Sequence, residues 1–114
     1  MIKNYFIAPG LYKKSIVNDF NKIINYFEVN KKDVLDFKKD SRLINEIRQK
    51  ICFFLYLQNY SYNSIKEVMN RKTHGNIIYH YKTVKGRIEV DNNYKQEIEK
   101  EYLNLYNVSL STIL

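Results

Sequence analysis

Apolar residues recur at spacings of three and four along most of this chain, the period of helices that bury one face. Between Lys13 and Phe27 the face is Ile16, Phe20, Ile23, Ile24 and Phe27. A short second helix is predicted after Val29, with Asn30 as its cap and Asp33 in its first turn, where a carboxylate meets the positive helix end. Val34, Leu35 and Phe37 are expected to plug the core behind it. Lys38-Lys39-Asp40 reads as a solvated connection. Ser41 is placed to cap the longest helix, about Arg42 to Gln58, with Leu43, Ile44, Ile47, Ile51, Phe54 and Leu55 as its stripe. Phe53 and Leu57 widen that stripe late, which predicts a central helix touched from several sides.

Asn59-Tyr60 ends the long helix and Ser61 starts a shorter one, Tyr62 to Met69, with Ile65, Val68 and Met69 inward. A polar, basic turn follows, Asn70 to Thr73. The next helix, about Gly75 to Val90, carries Ile77, Tyr81, Val84 and Ile88 on one face and contains Gly86, at a cost of roughly 1 kcal/mol relative to Ala. Asp91-Asn92-Asn93 breaks it. A last helix, about Tyr94 to Tyr106, turns Tyr94, Ile98, Tyr102 and Leu105 inward, and Val108 to Leu114 carries no assigned structure. Pro9-Gly10 is the one strong turn dipeptide. The expected organisation is a leader (1–12), one helical domain (13–107) and a tail (108–114). The fold class is all-α, five to six helices containing a helix-turn-helix.

Composition sharpens this picture in three ways. First, 45% of the 114 residues are hydrophobic, enough for one core, and 11 Tyr with 6 Phe make that core aromatic. Second, the net charge is +7, and residues 41–90 hold nine Lys/Arg against three Asp/Glu, which favours a polyanionic partner. A Lys-, Asn- and Tyr-rich composition is also what an AT-rich genome produces, so charge alone does not decide. Third, Cys52 is the sole cysteine, so no intramolecular disulfide or cysteine zinc site can form, and its apolar neighbours predict a buried, inert thiol. No stretch approaches the ~20 apolar residues of a membrane span, and no signal segment is visible. A cytoplasmic, nucleoid-associated protein is expected. Enzyme motifs are lacking: there is no HExxH, and His74 and His80 are six apart, on different helix faces. Neither a catalytic activity nor a metal, nucleotide or other cofactor is expected.

The segment from Ser61 to Arg87 reads as helix, short basic turn, longer basic helix, the layout of a helix-turn-helix. In that device the start of the second helix meets base edges, here Lys72, Thr73, His74, Gly75 and Asn76. Asn can pair with adenine and Lys can donate to guanine. Gly75 lets backbone approach the groove. Lys66, Arg71, Lys82, Lys85 and Arg87 are candidates for phosphate, where reach matters more than geometry. Two amphipathic helices with an ordinary solvated face would show the same spacing.

From about Ser15 to Asn107 the chain resembles the C-terminal, box-binding domain of the bacterial replication initiator DnaA. The similarity is carried by Tyr26-Phe27, the step Val29 to Leu35, the run Ile47-Arg48-Gln49-Lys50-Ile51-Cys52-Phe53-Phe54-Leu55, then Tyr60-Ser61-Tyr62-Asn63-Ser64-Ile65-Lys66. Arg71-Lys72-Thr73-His74-Gly75-Asn76-Ile77 and Tyr81 to Val84 stand where the family has its GRDHTTV signature and the residues after it. The resemblance implies duplex DNA as partner, with Arg48 in the minor groove, Ser61 on phosphate and His74 on bases. Lys72 stands where the family has Arg, and Thr73, Gly75 and Asn76 replace its Asp and two Thr. The framework is kept while the base-reading set is rewritten, so a site other than the standard initiator box is expected. No phosphate loop of the form GxxxxGK occurs, so ATP hydrolysis is not expected. The implied role is a stand-alone replication accessory factor or transcriptional regulator, of phage or mobile-element type. The competing expectation is a protein-binding module, with Tyr62, Tyr79 and Tyr106 exposed toward a replisome or virion component.

Overall fold

A computed structural model describes residues 15–112. The leader, the first residues of the first predicted helix and positions 113–114 lie outside them. The fold is all-helical, and no strand occurs among the described residues. In chain order the helices are α1 (Ile16–Phe27), α2 (Lys31–Leu35), α3 (Arg42–Leu57), α4 (Tyr62–Val68), α5 (His74–Val90) and α6 (Asn92–Tyr106), followed by a 3-10 turn at Leu110–Thr112.

The helix starts are set by local chemistry. Ser15, Asn30, Ser41, Ser61 and Asp91 each accept a hydrogen bond from a backbone N–H in the first turn of the helix that follows. Asp91 both ends α5 and caps α6, so one residue makes the corner between the two longest late elements. Helices α2 and α5 end at extended residues, Asp36 and Asp91, whereas the other four are closed by left-handed residues that are not glycine: Glu28, Asn59, Asn70 and Asn107. Asn tolerates this region because its short amide compensates locally. At Asn70 the closure is a Schellman motif, with Asn70 N–H on the Glu67 carbonyl (3.2 Å) and Arg71 N–H on the Lys66 carbonyl (2.9 Å).

Helix α3 is the hub, packed against α1, α2, α4 and α5, and α6 closes over α5 and α1. Ile51, Cys52, Phe53, Phe54 and Leu55 are fully buried on it, as the widened stripe predicted. Phe20 and Ile23 (α1), Ile65 (α4), Ile77 and Val84 (α5) and Ile98 (α6) fill in around them. Two expected core residues are outside. Leu43, in the first turn of α3, is 62% exposed. Phe37 is 59% exposed and lies beneath the Arg71 guanidinium, 5.2 Å from its ring centroid.

Lys50 is a core cation that periodicity did not flag. Its side chain is 8% exposed and its Nζ donates to Glu97 (2.6 Å) and Glu101 (2.9 Å), tying α3 to α6. Burial works against its charge, but the two carboxylates outweigh that and hold its pKa above the usual lysine value. Glu101 carries the opposite balance: burial raises its pKa despite Lys50 beside it.

Candidate nucleic-acid interface

Residues Lys72, Thr73, His74, Gly75 and Asn76 are all exposed. They form the lip between α4 and α5, held out by the left-handed Asn70. Thr73 occupies the cap position of α5 but makes no side-chain cap hydrogen bond. The orphan N–H groups at the start of this 17-residue helix therefore lack a side-chain acceptor at the place where the macrodipole is positive. Lys72, Thr73 and Asn76, together with Arg71 and Phe37, wall a hollow of about 250 Å³. His74 Nε2 lies 3.1 Å from Asn63 Oδ1, which binds the start of α5 to the start of α4.

Along α5 one line faces away from the core: Gly75, Tyr79, Lys82 and Gly86, spaced four, three and four. Tyr79 is 64% exposed, whereas a Cβ on Gly86 would meet nothing within 4 Å. Packing therefore does not require glycine at 86. Lys85 is exposed three turns on from His74, on the same flank. Lys66 is half-buried. Ser61 is exposed and caps α4: its Oγ accepts from Ser64 N–H (3.1 Å) and its hydroxyl donates to Ser64 Oγ (3.0 Å).

No family model, curated protein or solved structure matches the chain. Two arginines of the site differ from expectation.

Arg48 does not line a groove. It is 3% exposed, and every nitrogen of its guanidinium is hydrogen-bonded inside the protein. Nε donates to the Val34 carbonyl (2.9 Å), Nη2 to those of Asp33 (2.9 Å) and Asp36 (2.7 Å), and Nη1 to Asn45 Oδ1 (2.9 Å). The Asp33 and Val34 carbonyls are orphan acceptors at the end of α2, and that of Asp36 also takes the Lys39 N–H (2.9 Å). Arg48 is thus the clasp that fixes α2 on α3, and the expected minor-groove contact is corrected to a structural one. Nor does it pair with Glu46 or Asp40 directly; Asp40 acts through Asn45, which donates to it.

Arg71 is also less free than a phosphate-seeking side chain would be. It is half-buried and stacked on Phe37, and its Nη1 is inside without a hydrogen-bond partner among the described residues. Behind it lies His80, whose Nδ1 is likewise buried and unpartnered. Burial, then the charges of Arg71 and Arg48, push the His80 pKa down to about 4, so the ring is neutral at pH 7. Arg87 is engaged elsewhere, 3.9 Å above the Tyr94 ring and 3.7 Å from Glu46.

Sequence spacing thus located the lip but missed what surrounds it. The partners Phe37 for Arg71, Asn63 for His74 and His80 for the Arg71–Arg48 pair come from three separate helices or connections, and no local pattern joins them. Of the three tyrosines expected at a protein interface, only Tyr79 is well exposed. Tyr62 is stacked on Tyr56 at 4.6 Å, and the hydroxyl of Tyr106 is buried. Among the described residues no cluster of His, Cys, Asp or Glu could hold a metal ion, and no helix is long and apolar enough to cross a membrane.

Proposed function

We propose that this protein binds double-stranded DNA through the α4–α5 helix-turn-helix, with the start of α5 in the major groove. The observation that carries the reading is the exposed lip 72–76 at an α5 start that no side chain caps, with Lys72, Lys82 and Lys85 exposed around it. A helix N-terminus of this kind suits phosphate, and the polar lip suits base edges. The residue-by-residue resemblance to the DnaA box-binding domain supports the same partner and suggests a role in replication or transcription control. Binding does not use Arg48. Lys66, Lys72, Lys82 and Lys85 supply the phosphate contacts, with Ser61 at the α4 start.

Fluorescence anisotropy with a random-sequence duplex tests this. Four phosphate contacts give a slope of log K on log salt of about −3 to −4. Undetectable binding at low salt would sink the proposal and turn attention to a protein partner for the exposed Tyr79.

A further inference from the structure

We infer that the reading surface selects A·T over G·C pairs, with Asn76 pairing adenine and Tyr79 packing its ring on the thymine methyl. This rests on the DNA-binding reading above and adds the class of duplex that is read.

The first ground is where the guanidinium groups are. An arginine fork on guanine is the commonest specific contact to a G·C pair, and the chain has four arginines. Arg48 is sealed inside on three carbonyls and Asn45. Arg71 is stacked on Phe37 with one nitrogen buried. Arg87 lies on Tyr94 near the far end of α5, and Arg42 reaches the same Glu46 that Arg87 does. Only Arg71 borders the start of α5, and its guanidinium is held on Phe37. Lys72 is exposed there, but as a point charge on a flexible stem it lacks the planar fork and serves phosphate equally well.

The second ground is what the surface does offer. The side chain of Asn76 is exposed and makes no hydrogen bond among the described residues, so its amide is free to give the paired donor and acceptor that adenine N7 and N6 require. Tyr79 stands three residues on, one turn along the same face, and is the most exposed aromatic ring on α5 at 64%. An apolar ring in the major groove has one base group to pack on, the thymine C5 methyl. Gly75 and Gly86 lie in line with Tyr79 and carry no side chain that would hold the helix off the duplex floor.

Selection from a randomised duplex pool, followed by affinity measurement on the winning site, tests this. The expected core is A·T-rich. Asn76→Ala loses adenine preference at one position by about tenfold. Replacing thymine with deoxyuridine, which removes only the methyl, weakens binding of the wild type and of Tyr79→Phe but not of Tyr79→Ala. Both residues are exposed, and circular dichroism checks that the variants fold. A G·C-rich core, or deoxyuridine without effect at every position, overturns this inference alone. Absence of binding to any duplex at low salt overturns it together with the reading beneath it.

Discussion

The corner between α2 and α3 and the lip between α4 and α5 are both basic, and they use that charge in opposite ways. At the corner, Arg48 has every guanidinium nitrogen bonded to the protein and is closed to solvent. At the lip, Lys72 and Asn76 are exposed and Thr73 leaves the helix start uncapped. A cation that has satisfied its donors internally contributes to stability and has nothing left for a ligand. One that has not contributes little to stability and remains available. Arg71 and His80 sit between these extremes, partly buried and incompletely bonded.

Removing the clasp has the largest expected effect. Arg48→Ala leaves the Asp33 and Val34 carbonyls without a donor, while that of Asp36 keeps the Lys39 N–H, and is expected to destabilise the fold by about 3 kcal/mol, read by urea unfolding. DNA affinity of the folded fraction should be unchanged; a large loss of affinity at full stability would move Arg48 back to the interface.

The intermediate zone is tested by pH. Because the His80 pKa is depressed in the fold, the unfolded chain takes up its proton first on acidification. Stability is therefore expected to fall as pH drops from about 6.5 toward 4, by about 2 kcal/mol after allowance for screening of a partly exposed ring. In His80→Gln this portion of the pH dependence should vanish. An unaltered profile would show that other groups cause it.

Gly86→Ala sharpens the picture of the outward line of α5. With open space around the added Cβ, it is expected to raise stability by about 1 kcal/mol, measured by thermal melting. If a duplex lies close there, the same change weakens DNA binding while it strengthens the fold. The smallest effect on stability belongs to Lys72→Ala, within about 0.5 kcal/mol, yet it should reduce the salt slope of DNA binding by about one. A stability loss comparable to that of Arg48→Ala would erase the distinction between the two regions.

Much of the fold was legible in advance because helix formation is decided within a turn or two. Ser41, Ser61 and Asn30 cap the helices they were expected to cap. The inward faces of α4, α5 and α6 follow the apolar spacing, and Cys52 is buried, its thiol pushed up to about 12 chiefly by burial. The misplaced core residues, Leu43 and Phe37, lie where spacing was extrapolated past the edge of a packed surface, and Asn92 and Asn93, expected to break the helix, open α6 instead. The start of α5 was expected at Gly75 and is His74, since Thr73, without a cap bond, is the last extended residue.

The helices and their serine and asparagine caps were legible because each depends on residues within about one helical turn. Which basic side chains are free depends instead on how the elements dock. Arg48, Lys50 and Arg71 meet partners 12 to 51 positions away or on other elements, and nothing in their own neighbourhoods distinguishes them from Lys72. A guanidinium is drawn inward wherever orphan carbonyls converge, and that convergence exists only once α2 has docked on α3.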